Sequence, residues 1–166
     1  PTSTGSFKRT FNGFAVARRL TSTLGRMSTV YLLRDDPQLR YMQDMSLSDS
    51  TIGLRPTPAL IGSDEWWRCV ESGELPINRV EGTISGYWPG QYGQGPAEFN
   101  LQEDSGTTSN WGCGMEPAKA TRLFYVGRRC AVEYVEQELK TAFQGRLSTP
   151  VAIRIEVAEG EGEHAA

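Results

Sequence analysis

Catalysis by a nucleophile, a metal or an acid–base pair needs particular side chains at particular spacings, and this chain offers few of them. It has one histidine, His164, and three cysteines, Cys69, Cys113 and Cys130. The cysteines stand 44 and 17 residues apart, with no C-x-x-C pair and no neighbouring histidine, which argues against a tetrahedral zinc set. A Ser–His or Cys–His nucleophile would have to recruit His164 from an acidic C-terminal stretch, and no G-x-S-x-G turn is present. Gly86, Gly90, Gly93 and Gly95 form one glycine cluster, and Gly112 with Gly114 another. Neither is followed by Lys-Ser/Thr and neither matches G-x-G-x-x-G, so they read as loops, not phosphate cradles. Glu98, Glu103, Asp104, Glu133 and Glu136 are available as carboxylates. A glycosidase pair needs about 5–9.5 Å between two of them in a cleft, a placement that sequence spacing does not fix, and acids are common on strand surfaces. No metal and no cofactor are expected, and a small enzyme of unrecognised class is the least favoured reading.

Aromatic residues are the stronger signal. Tyr87, Trp88 and Tyr92 lie in or beside a Gly/Pro-rich stretch at 89–96, and Trp111 follows on a later strand. Aromatic side chains on such a loop suit a recognition surface for a protein or small ligand. With Lys119, Arg122, Arg128 and Arg129 nearby they would also suit stacking of single-stranded nucleic acid. Charge decides between the two. The whole chain carries 17 basic and 20 acidic side chains, net −3. Residues 1–26 hold Lys8, Arg9, Arg18, Arg19 and Arg26 and no acid, so residues 27–166 carry net −8. A body of that sign repels phosphate unless its arginines cluster. The expected function is a non-enzymatic binding or protein-interaction module, its ligand-binding residues Tyr87, Trp88, Tyr92 and Trp111. Its partner is an unknown protein or small ligand, and nucleic acid is the disfavoured alternative. No membrane partner is expected, since no run approaches the ~18 apolar residues of a spanning helix. An exposed edge strand would favour a homodimer.

These residues need elements to position them. Val30–Leu33 is a short apolar strand. Asp36-Pro37 resembles a helix start, with Leu39, Met42 and Met45 as its buried stripe. Residues 46–58 read as loop. Ser63 is an N-cap with Asp64 and Glu65 in the first turn, and Gly73 a left-handed C-cap. Trp66, Cys69 and Val70 share one face of the helix between them. From Arg79 the period becomes two. Val80, Gly82, Ile84, Gly86 and Trp88 form an inward row, and the two glycines mark a bend or a close backbone approach. Ala97, Phe99 and Leu101 form a second strand, and Ser109, Trp111 and Cys113 a third. A short helix over Pro117–Phe124 ends at Gly127. Arg128–Glu136 and Pro150–Ala158 are the last two strands.

Three linked strands, a helix and two more strands resemble the OB-fold over residues 79–158. That resemblance implies a β-rich α+β fold: a five-stranded OB-like antiparallel barrel with two short helices, within 36–73, packed N-terminal to it. The phrases Pro58–Trp67, Val80–Ile84 and Val126–Arg129 also resemble small uncharacterised bacterial accessory proteins of the mobile-cassette kind. The chain divides into a basic leader or arm (1–26), a single domain (27–158) and an acidic tail (159–166). The arm's composition fits a leader outside the native fold with Met27 as the start, a transit peptide, or a basic arm for nucleic acid or anionic lipid. Three separated cysteines and no signal peptide predict a cytoplasmic protein.

Overall fold

The structure is a computed structural model that describes residues 26–89, 97–115 and 117–159. The loop at 90–96 with Tyr92, the tail with His164 and residues 1–25 lie outside the described residues.

Six strands form one antiparallel sheet: β1 (Met27–Leu32), β2 (Asn78–Trp88), β3 (Glu98–Glu103), β4 (Thr108–Gly112), β5 (Arg129–Phe143) and β6 (Arg146–Ala158). Their spatial order is β1-β6-β5-β2-β3-β4. The expected five-stranded OB-like barrel is therefore corrected. Among the described residues the sheet has six strands and is not closed, because the N-terminal strand β1 pairs with β6 instead of standing outside the sheet.

Among the described residues three α-helices accompany it: α1 (Leu39–Leu47), α2 (Asp64–Ser72) and α3 (Pro117–Leu123). The caps of α2 follow from its sequence. Ser63 accepts a hydrogen bond from the Trp66 amide at 3.2 Å, and Gly73 takes a left-handed φ of 80°. At α1 the expected Asp36 cap acts one step further out. Its Oδ1 accepts from the Gln38 amide at 2.7 Å, and Gln38 stands at the helix N-cap.

Alternation along the strands supplies two cores. Ile84, Phe99, Leu101, Trp111, Cys130, Val132 and Ile155 fill one face, which Ala120 of α3 and Phe124 just past its end close. The Phe99 and Phe124 rings stack at 4.8 Å. On the other face α2 lays Trp66 and Val70 against Val135 and Ile153, with Leu33 and Ile61 completing the cluster. Ile153 is the extra residue of a bulge between the Glu133 and Tyr134 pairings. That bulge sends Ile153 to the second core while Ala152 packs on the first.

Two glycines are there for close approach, as a bent strand implies. A side chain on Gly82 would overlap the backbone carbonyl of Gln102. Gly114, at φ 62°, lies directly against the Tyr31 ring. This second contact joins the region just past β4 to β1, so the sheet curls until its two edges meet at one point without hydrogen-bonding.

Candidate partner-binding surface

The three described aromatic candidates, Tyr87, Trp88 and Trp111, fall in different places. Phe99 pairs with Tyr87 on one side and Trp111 on the other, so these three side chains form a row on the inner face. Trp111 is 6% exposed, its indole N–H donates to Ser109 Oγ at 2.8 Å, and its ring lies 5.1 Å from that of Tyr134. Tyr87 packs on the same core and shares a 3.0 Å hydrogen bond with Thr121 of α3. Trp88 was expected to point inward with Ile84. It is 50% exposed instead. The cause is a bulge at Ser85, between the Ile84–Leu101 and Gly86–Asn100 pairs, which reverses the alternation so that Tyr87 turns in and Trp88 out.

The basic candidates are also divided. Arg128 is buried, donating from Nε to the Ala158 carbonyl at 2.7 Å and from Nη1 to that of Leu123 at 2.8 Å. Arg129 makes a two-pronged pair with Asp104 at 2.6 and 2.7 Å, which holds the Asp104 carboxyl below its usual range. Both guanidinium groups are engaged in the fold, so they do not form a groove for phosphates. Arg79 forms a hub on the same outer face. It reaches Glu81 at 2.7 Å and Glu133 and Glu156 at 3.0 Å each, and Arg154 meets Glu156 at 2.6 Å. Of the candidate carboxylates, Asp104 and Glu133 sit in ion pairs, and Glu136 accepts from Ser148 Oγ. Among the described residues no three metal-binding side chains come together.

A larger concavity lies elsewhere among the described residues, along the open seam of the sheet. It encloses about 530 Å³. One wall is β4 at Asn110–Gly112, the other β6 at Thr149–Ala152, and Tyr31 and Leu33 contribute from the β1 side. Tyr41, Met42 and Met45 of α1 and residues 52–54 complete it. A second cleft of about 500 Å³ shares Ile52, Gly53 and Thr149 with the first and runs to the tip of the β5–β6 hairpin at Phe143. Large apolar side chains stand exposed along this track: Tyr41 at 62%, Ile52 at 74% and Phe143 at 67%.

The walls are held rigidly. Lys140 donates from Nζ to the carbonyls of Met45, Ser48 and Ser50, at 2.7, 2.6 and 3.2 Å, and so pins the segment that leads out of α1. Residues 53–55 run beside β5 through the Leu54–Leu139 bridge and the hydrogen bond from the Arg55 amide to Glu138. Gln137 is fully buried. Its Oε1 accepts the Trp66 indole N–H at 2.8 Å, and its Nε2 donates to the carbonyls of Arg55 and Thr57 at 2.9 and 2.8 Å. On the far side, the Tyr31 hydroxyl donates to Asp36 at 2.7 Å. Burial first, and then that carboxylate, push the Tyr31 phenol far above its ordinary range.

Sequence reasoning passed over this seam. It ended β5 at Glu136 and began β6 at Pro150, whereas the strands continue to Phe143 and back from Arg146. The available signal was Gln144-Gly145. Both residues take positive φ, 49° and 78°, as a two-residue type I′ hairpin turn requires.

No curated protein matches the chain. A protein-family match covers residues 27–158, which begin with the first residue of β1 and end with the last of β6. That family is one of small bacterial proteins, but its description does not carry the mobile-cassette association. By this match over most of its length, the chain belongs to the family of Immunity protein RhsI2.

Proposed function

We propose that this protein is an immunity protein that neutralises a toxin by binding it, with no chemical step of its own. The observation that carries the reading is the family match across the whole sheet, from 27 to 158. Three features support it. The ionisable side chains of the outer face are spent on one another. The apolar track along the seam is the kind of surface that a protein partner covers. Residues 27–158 carry 12 basic and 17 acidic side chains, net −5, which favours a partner of basic surface. The free thiols of Cys69, Cys113 and Cys130 suit a reduced compartment, and we place the protein in the cytoplasm. In this reading Trp111 is the sequence-predicted aromatic that lines the groove facing the partner, Tyr87 shapes the core behind it, and the exposed Trp88 lies outside the groove lining.

Growth rescue tests the proposal. Toxin genes of the same genome are expressed one at a time, with and without this chain, and the rescued toxin is then mixed with purified protein. Rescue together with a stable complex is the expected result. Rescue without a complex, with the toxin or its product chemically altered, would replace the binding role with an enzymatic one.

A further inference from the structure

The seam is bounded by strand edges that have no partner among the described residues. β4 pairs with β3 alone, so one side of Thr108–Gly112 is open. β6 pairs with β1 only from Arg154 to Ala158, so between Arg146 and Ala152 its side away from β5 is open too. The 530 Å³ groove is walled by these same stretches, Asn110–Gly112 and Thr149–Ala152. Unpaired backbone N–H and C=O groups on a strand edge are a template for another strand. Here two such edges border one slot, and apolar side chains of α1 and residues 52–54 form its wall.

We infer that a toxin docks by inserting an extended segment into this slot, completing the sheet between β4 and β6. The inference rests on the binding role proposed above and adds where and how the partner is held. Main-chain hydrogen bonds to the edges supply the affinity. Tyr41, Met42, Met45 and Ile52 receive the segment's apolar side chains. The net charge of −5 over residues 27–158 selects basic residues in the partner around that segment.

Hydrogen exchange of the full chain, free and bound to the rescued toxin, tests it. The expected result is new protection at 108–112 and 146–152 in the complex. In addition, Tyr41→Glu and Ile52→Glu, both at well-exposed positions, should weaken toxin binding tenfold or more with an unchanged melting temperature, while Trp88→Ala stays within twofold. A complex protected on the Arg79 face, or weakened by Trp88→Ala and not by the seam variants, overturns the inference and leaves the binding role standing. Protection of the same edges in the free chain, growing with concentration alongside a doubled mass, assigns the slot to a second copy and also overturns it. Failure of any tested toxin to form a complex overturns the binding role itself.

Discussion

Replacing Gln137 with leucine should cost this protein a large part of its stability, although the two side chains are close in size. The amide bonds three groups at once: the Trp66 indole N–H and the carbonyls of Arg55 and Thr57. Leucine fills the space, so the cavity contribution is small. What remains is one buried donor and two carbonyls without partners, at about 1–3 kcal/mol each. The indole is fully buried and takes the middle of that range. The carbonyls belong to a surface segment, and water reaching them puts each near the low end. The sum is roughly 3–4 kcal/mol, against a total of about 5–15 kcal/mol for a domain. For a chain of this size that corresponds to a melting point lower by roughly 10–15 °C. Urea denaturation of wild type, Gln137→Leu, Trp66→Phe and the double variant measures it. The cycle should return a coupling of about 1–2 kcal/mol between the two residues. A loss below about 1 kcal/mol, or additive single variants, would refute the argument that this amide locks α2 and the 55–57 segment onto β5.

Other perturbations have equally definite outcomes. Burial pushes the Cys113 and Cys130 thiols up to about 12, from an ordinary 9.0. Groups raised on folding stabilise fully below the unfolded value and lose that contribution as pH climbs, so the urea midpoint should fall between about pH 9 and 12. Cys113→Ala/Cys130→Ala should flatten that fall, and in the native protein both thiols should resist Ellman's reagent until unfolding. Gly114→Ala should destabilise by about 1–3 kcal/mol more than Gly106→Ala. Both glycines have positive φ, but only Gly114 has the Tyr31 ring against it, while nothing lies near Gly106; equal melting points would remove the seam contact from the account. Arg79→Met should lower stability by about 1 kcal/mol at low salt, and the difference should shrink in 0.5 M NaCl, because the hub is partly exposed and open to screening.

Where local chemistry alone fixes the outcome, the sequence was legible. Ser63 and Gly73 mark both ends of α2, Gly127 follows α3 with φ 93°, and the alternation of Ala97, Phe99 and Leu101 places all three in the core. Legibility failed where a non-local pairing or a single inserted residue decides. The bulge at Ser85 reversed Trp88, and no residue type there announces it. β5 beyond Glu136 is Gln-Glu-Leu-Lys-Thr, a polar run with weak strand preference, and Pro150 argues against a strand. Both are tolerated because that part of β6 has a neighbour on one side only. The seam is built from Tyr31, Met42, Ile52, Trp111 and Val151, residues scattered over the chain, and only the curl of the sheet brings them together.

The meeting of Tyr31 and Gly114 has one more consequence, for how the protein avoids aggregation. In an open flat sheet the two edges point in opposite directions, and each can recruit another copy without end, the geometry of a fibril. Here the curl turns the bare stretches of β4 and β6 toward a common gap. A strand that enters that gap in the proposed way would meet both edges and leave no new edge of its own, so strand addition at the gap would be self-limiting, with a stoichiometry of one.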